Sequence, residues 1–396
     1  MKVGQVGRLS PRVAGIATGP AWMRGFQTSF DFVNGIYRLN NRRVPLHQID
    51  GYHSRASARR AEDGQGVSRE FGNGSMAITN QGYDGREGWT VLNADPLNPR
   101  AWPVVSGSVV SDEPGEFLGF ASARRVASAG ASFHRISNVI TGGVISGQAY
   151  NVRALYKPIS SPRFRLGVRS LADSSRLANL SGLVGGLAQT SATTGTFTNI
   201  VNKNLGGGFF EINATFTSTE TTTATLDAGP DSATDGDAVI VIAAQITQTP
   251  YPMPFGVGTV APDSLVIPAA VAGLAINPSA TGLTMVWRGR AFESAVTFAA
   301  LLEVGANSTV GSQNTCMLQY RKGQNFRADL VAAGTTVTRS LTGSLGEERA
   351  FVLTWRPDGS CRIVGAGEAH TVNRAPIAEL ATHVGVGCRA RSPGPS

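Results

Sequence analysis

Period-two alternation of apolar and polar residues constrains this 396-residue chain more than any other feature. In AYNVRALY, Tyr150, Val152, Ala154 and Tyr156 share one face. In RFRLGVR, Phe164, Leu166 and Val168 face one way, while Arg163, Arg165 and Arg169 face the other. In FEINATFT, Phe210, Ile212, Ala214 and Phe216 oppose Glu211, Asn213, Thr215 and Thr217. Successive strand side chains point to opposite faces, so each of these segments buries one face and wets the other. The run VIVIAAQI at 239–246 is apolar on both faces and reads as a central strand. ASARRVASAGASF at 121–133 is the best candidate for a helix.

Further along, Leu283, Met285 and Trp287 alternate, as do Phe351, Leu353 and Trp355. Pro357-Asp358-Gly359 then turns the chain into a returning strand through Ile363. Asn34-Gly35 and Asn40-Asn41 are hairpin-turn signals between apolar and aromatic runs. The 48 glycines and 20 prolines follow no fixed period, which excludes a collagen and favours short strands joined by turns. The expected fold class is all-β: two antiparallel β-sandwich (jelly-roll) domains behind an extended N-terminal arm. The expected boundaries are 1–50 for a basic anchoring arm, 51–255 for the first sandwich, 256–280 for a proline-rich linker, 281–388 for the second sandwich and 389–396 for a flexible tail.

Charge is unevenly spread. The first 60 residues carry ten Lys and Arg against Asp31 and Asp50, while the remaining chain carries 25 residues of each sign. A basic leader on a neutral body reads as a docking device for an acidic surface. Its aromatic residues look like packing groups rather than a base-stacking platform, which favours a protein assembly over nucleic acid. The candidate anchoring residues are Arg8, Arg12, Trp22, Arg24, Phe26, Arg42 and Arg43. No apolar run reaches membrane-spanning length and the N-terminus lacks a signal-peptide core, so synthesis in a cytoplasm without secretion by that route is expected. Cys316, Cys361 and Cys388 are far apart and lack a CxxC pair, which reads as idle thiols; a Cys316–Cys361 disulfide requires neighbouring strands.

Catalytic signatures are scarce. GxSxG and GxxxxGK[ST] are absent, and His47, His53, His134, His370 and His383 have no metal-binding spacing. Asp227, Asp231, Asp235 and Asp237 form an alternating carboxylate run compatible with calcium, or with a solvated loop. Asp112, Glu113 and Glu116 admit a glycosidase reading, against a local acidic turn. Because aromatic rings stack on sugars, the candidate carbohydrate-binding residues are Tyr83, Trp89, Trp102 and Tyr320; Trp287 and Trp355 sit on apolar stripes and read as core.

Two stretches carry a resemblance. Arg55, Ala56, Ser57, Asp63 and Gly64, leading to Trp102, are similar to the front of a carbohydrate-binding-module-like jelly roll of phage tail and head fibre proteins. Ala244, Gln245, Ile246, Pro250 and Tyr251 resemble its closing strand, with Ala243 and Thr247 departing from the usual Gly and Glu. Pro262, Asp263, Leu265, Ile267 and Pro268 resemble the run before a concanavalin- or laminin-G-like sandwich. The resemblance implies a non-enzymatic virion fibre or spike protein that attaches to host surface polysaccharide. It also implies a homotrimer with other virion proteins as partners, made in a bacterial host. A ligand-free decoration or connector protein and a polysaccharide-degrading tailspike are the alternatives.

Overall fold

The structure is a computed structural model. It describes residues 5–7, 26–32, 34–62, 67–79, 82–86, 88–105, 107–130, 134–192, 194–274, 277–291, 298–305, 315–321, 326–332, 335–343, 347–365, 367–373 and 381–386. The chain is almost entirely antiparallel β-structure, as the alternation predicts, and forms two compact units. Unit 2 consists of residues 59–70 and 89–260; unit 1 consists of residues 1–58, 71–88 and 261–396. Among the described residues no helix is long and apolar enough to cross a membrane.

Unit 2 is a sandwich of two six-stranded sheets. Its strands are β1 (Val104–Val105), β2 (Val109–Glu113), β3 (Ala123–Ala127), β4 (Arg135–Val144), β5 (Ala149–Pro158), β6 (Arg163–Ser170), β7 (Arg176–Leu183), β8 (Ala188–Ala192), β9 (Gly195–Gly206), β10 (Phe209–Ser218), β11 (Thr222–Pro230) and β12 (Ala238–Thr247). One sheet runs β1-β4-β11-β6-β7-β8 and the other β2-β3-β12-β5-β10-β9. The alternation in sequence sets which residues face the shared core. Tyr150, Val152, Ala154 and Tyr156 of β5 meet Phe164, Leu166 and Val168 of β6, and the Tyr156 and Phe164 rings stack 3.9 Å apart. Burying one such ring stabilises the fold by about 1.5–3 kcal/mol. One feature departs from the sequence reading and one follows it. The stretch proposed as a helix near 121–133 contains β3 instead, because Ala123 and Val126 pack into the unit's cores and the strand pairs with both β2 and β12. Strand β12 is central and buried on both faces: Val241 and Ile246 point into the sandwich, while Ile240, Ile242 and Ala243 pack outward against Phe120 and Phe255.

Among the described residues, unit 1 also has two large sheets, beside the short pair Ile78–Thr79 and Gly82–Tyr83. One comprises Glu368–Asn373, Ser360–Gly365, Glu348–Trp355, Leu283–Arg290, Gln5–Gly7, Thr28–Asp31, Ile36–Leu39 and Arg42–Val44, in that order. The other comprises Thr335–Leu341, Phe326–Ala332, Thr315–Arg321, Phe298–Gly305, His383–Val386, Ser264–Pro268 and His53–Ser54. Trp287, Trp355, Phe326 and Phe351 form the centre of its core.

The N-terminal region corrects the expectation of a separate arm. Residues 28–44 form three strands of the eight-stranded sheet, and Phe30, Phe32, Tyr37, Leu39 and Ile49 lie in the core of unit 1. The two turn signals close hairpins there: Gly35, Asn40 and Asn41 all take positive φ, a conformation Gly and Asn tolerate best. Aromatic side chains spaced for a strand gain more from a core of their own chain than from an undetermined partner. The expected linker 256–280 likewise contains a core strand, Ser264–Pro268, with Leu265 and Ile267 buried.

The residues that carried the family resemblance meet inside the fold. Asp263 accepts hydrogen bonds from Arg55 Nη1 (2.7 Å) and the Arg86 amide (2.9 Å), and lies 3.0 Å from His53 Nε2. The Arg55 and Asp263 side chains are fully excluded from solvent. Ser57 Oγ accepts from the Ala261 amide. The free thiols of Cys316 and Cys361 lie on different sheets, and burial pushes both up, Cys361 to about 12. Cys388, Asp63 and Gly64 lie outside the described residues.

Candidate functional site: an arginine-lined groove

Each sheet of unit 2 has an outer face, and the chain itself seals one of them. On the β5–β10–β12 face, Arg153 makes a two-pronged ion pair with Glu211, both bonds at 2.9 Å, and reaches Glu62 at 2.5 Å. Its third nitrogen donates to the Met253 carbonyl, and its guanidinium lies 4.5 Å over the Phe255 ring. Gln245, the glutamine of the closing-strand motif, donates to the Met253 and Pro254 carbonyls and accepts from the Gly256 amide. Residues 250–256, with Pro250, Pro252 and Pro254, therefore act as a lid pinned by buried polar groups.

Burial alone would raise the Glu211 carboxyl, but the Arg153 charge and hydrogen bond hold it below its ordinary value. The same two carboxylates hold Arg153 above its ordinary value in spite of burial. A depressed folded carboxylate contributes stability that is present above its unfolded pKa and is lost as pH falls through the folded value. Unit 2 is thus expected to lose urea resistance on going from pH 6 to pH 3, with a shallower loss in Glu211→Gln. An equal slope in both proteins removes Glu211 from the account.

The other outer face, on β4, β11, β6 and β7, carries a groove lined by Arg135, Arg165, Arg169, Arg176, Asn179 and Asp227, together with His134, Gly167 and Gly229. It encloses about 20 Å³, the rest being open to solvent. Strand register builds it. Gly167 of β6 sits opposite Asp227 of β11 and Asn179 of β7, and Gly229 sits opposite Arg165, so the floor lacks side chains where the strands lie side by side. Gly229 is required there: a Cβ would fall 2.4 Å from the His134 carbonyl oxygen.

Asp227, buried at the floor, accepts from Ser137 Oγ (2.6 Å), Thr225 Oγ1 (3.0 Å) and Arg169 Nε (3.2 Å), with Arg135 Nε at 2.7 Å. At the end of β11, Asp231 accepts from Arg163 and Arg165. Four guanidiniums and the Asp227 carboxylate line the groove, and Asp231 at its end pairs with Arg165. Burial lowers Arg176, the charges of Arg165, Arg169 and Arg135 lower it further, and Asp231 opposes them. Burial also lowers Arg135; Asp227 opposes this, while Arg169 and Arg165 add to it. His134 is 5% exposed, and among the described residues neither of its ring nitrogens has a hydrogen-bond partner.

The proposed carbohydrate-binding aromatics are not at this groove. Tyr83, Trp89, Trp102 and Tyr320 are only 0–3% exposed, so none presents a ring face to a sugar. Tyr83 packs on Phe32 at 5.3 Å in the core of unit 1 and Tyr320 on Phe326 at 5.9 Å. Trp102 fills the sandwich of unit 2 and donates to the Asp95 carbonyl, and Trp89 packs with Val91, Tyr251, Met253 and Val260. Large rings bury the most apolar area, and these took the core. Of the anchoring candidates, Arg42 and Arg43 are exposed, Phe26 is buried, and Arg8, Arg12, Trp22 and Arg24 lie outside the described residues. Two of the four aspartates considered for calcium, Asp227 and Asp231, are held by arginines instead, and Asp237 accepts from Ser232 Oγ. Among the described residues no group of three or more metal-ligating side chains converges.

No protein-family model and no curated protein matches the chain. Among solved structures, the CBM22-1 xylan-binding domain from Paenibacillus barcinonensis Xyn10C is 11% identical, with a TM-score of 0.28, covering 41% of this chain and 96% of that one. Domains LG4-5 of the mouse laminin alpha1 chain are 11% identical with a TM-score of 0.23, covering 70% of this chain and 83% of that one. An arabinose-bound GH51 α-L-arabinofuranosidase is 12% identical with a TM-score of 0.29 over 40% of this chain, which spans only 26% of that enzyme. Likenesses this slight concern β-sheet architecture alone, and the site rests on the geometry above.

Proposed function

We propose that this chain is a non-enzymatic attachment protein of a phage or phage-like particle that holds host surface polysaccharide in the arginine-lined groove of unit 2. The observation that carries the reading is the contrast between the two outer faces: one is closed by the chain's own lid, the other is an open polar groove built by strand register. A shallow groove serves adhesion when many copies act together, because avidity multiplies weak single-site binding. A homotrimer carried on the particle surface supplies such copies. The N-terminal excess of Lys and Arg, including exposed Arg42 and Arg43, supports docking of the protein onto other virion proteins.

The test is a panel of bacterial surface polysaccharides against the purified chain, scored for retardation in affinity electrophoresis and for released reducing sugar. Retardation without sugar release is the expected result. No retardation by any polysaccharide leaves a ligand-free connector, and sugar release makes the protein a depolymerase.

A further inference from the structure

We propose that the chain cleaves itself at the Asp95–Pro96 peptide bond, a single self-directed event that needs no ligand and stands apart from the attachment reading. Asp95–Pro96 is the one Asp-Pro bond in the sequence. The first basis is the backbone. Asp95 takes a φ of 46°, a left-handed value uncommon outside glycine, and a residue before proline is otherwise held to extended backbone. Both flanks of the bond are pinned to one strand. The pairing of β3 with β12 stops at Val241, and residues 92–96 take up backbone groups of β12 beyond that point. On the N-terminal side, the Leu92 amide donates to the Ile246 carbonyl (2.8 Å), and Asn93 Nδ2 donates to the Ala244 carbonyl (3.0 Å). Asn93 Oδ1 accepts from the Ile246 amide (2.9 Å). On the C-terminal side, the Ala244 amide donates to the Pro96 carbonyl (3.0 Å). Anchored on both sides, the bend at Asp95 is imposed by its surroundings.

The second basis is the reacting group. The Asp95 carbonyl oxygen accepts from Trp102 Nε1 (2.9 Å) and from the Asn98 amide (3.0 Å). Trp102 is buried in the sandwich, which fixes its donor. Two fixed donors stabilise the negative charge that a carbonyl oxygen gains when its carbon is attacked. The attacking group is the carboxyl of Asp95 itself. The residue is exposed, and among the described residues its side chain has no hydrogen-bond or ion-pair partner. Carboxyl and target carbon belong to one residue, so attack closes a five-membered ring without loss of translational freedom. A carboxyl oxygen bonds to the Asp95 carbonyl carbon and the C–N bond to Pro96 breaks. The carboxyl proton passes to the proline nitrogen, which leaves as a secondary amine. Water then opens the cyclic anhydride, and Asp95 becomes a C-terminal residue. One water is consumed and nothing is oxidised or reduced. A proton must reach the leaving nitrogen, so acid speeds the reaction. The products stay together, because Phe30, Phe32, Tyr37 and Leu39 of the first share a core with Trp287 and Trp355 of the second.

The test incubates the purified full chain at pH 5 and pH 8 and follows it by denaturing electrophoresis and mass spectrometry. Fragments 1–95 and 96–396 are expected, forming about tenfold or more faster at pH 5, with the gel-filtration volume unchanged until the protein is denatured. Asp95→Ala, at an exposed position, is expected to give neither fragment at an unchanged melting temperature. The chain unfolded in urea at pH 5 is expected to cleave about tenfold or more slower than the folded chain, because unfolding removes the Trp102 and Asn98 donors. Trp102→Phe keeps a ring in the core without the Nε1 donor and is expected to slow cleavage by about tenfold. If that variant fails to fold, the urea comparison answers the same question. Absence of fragments at both pH values overturns the proposal, as do the same fragments from Asp95→Ala. Equal rates in the folded and unfolded chain also overturn it, reducing the reaction to the ordinary acid lability of an Asp-Pro bond. All of these outcomes leave the polysaccharide reading to its own test.

Discussion

Asp263→Ala is expected to destabilise unit 1 by about 3–5 kcal/mol, the cost of stranding a buried charge. Asp263 receives Arg55, the Arg86 backbone amide and the His53 ring, and the Arg55 and Asp263 side chains are fully excluded from solvent. Removing the carboxylate leaves the Arg55 guanidinium buried against the carbonyls of Ser57, Phe71 and Gly72. Those carbonyls satisfy its donors without neutralising its charge, and desolvation is then uncompensated. The pair also joins distant parts of the chain, since 208 positions separate its members. Calorimetry of the variant should show the melting transition of unit 1 far below that of the wild type, with the transition of unit 2 unmoved. A double variant, Arg55→Met with Asp263→Leu, should recover much of the loss, because apolar replacements of similar shape leave no orphaned charge. A shift in the single variant worth less than about 1 kcal/mol would place this pair among solvated surface ion pairs.

Arg153→Ala is the counterpart in unit 2, again with about 3–5 kcal/mol expected. Here the stranded group is the Glu211 carboxylate, 6% exposed, with Glu62 beside it. The substitution also removes the donor to the Met253 carbonyl and the stack on Phe255, so the lid over residues 250–256 loses part of its attachment. Limited proteolysis reads the lid directly: cleavage near residues 250–256 should rise in Arg153→Ala before the unit unfolds globally. Arg153→Met, which retains the packing on Phe255, should show smaller cleavage. If both variants resist cleavage as the wild type does, Gln245 and Thr215 hold the lid without Arg153.

Part of this was legible in the sequence. The RFRLGVR alternation put Arg163, Arg165 and Arg169 on a wet face opposite Phe164, Leu166 and Val168, and the structure has them so. Arg135 and Arg176 were not legible as members of the same site, because only the pairing of β4 with β11 and of β6 with β7 brings them beside those three. Register between distant strands is a tertiary fact that no local pattern encodes. Glycines inside strands were the available signal: Gly167 and Gly229 interrupt otherwise regular strands, which marks a bulge or a close approach.

The aromatic candidates failed for the opposite reason. Trp89 and Tyr83 stand among Gly and polar residues in sequence, which suggested exposure, yet each is buried against residues far along the chain, Trp89 against Tyr251 and Met253 and Tyr83 against Phe32. The motif residues Arg55, Asp263 and Gln245 proved to be internal fasteners, joining segments that the sequence shows only as separate short patterns. The N-terminal region misled in the same way: a basic, Gly- and Asn-rich stretch reads as an arm until its alternating Phe30, Phe32, Tyr37 and Leu39 are seen to share a core with Trp287 and Trp355.

The central claim is that ligand enters on the open face of unit 2. Hydrogen exchange of the whole chain, with and without the polysaccharide that binds best in the panel, tests it most directly. The account predicts slowed exchange confined to β4, β6, β7 and β11 around Arg135, Gly167, Arg176 and Gly229. Slowed exchange in unit 1 or over the lid at residues 250–256, with those four strands unchanged, would contradict it.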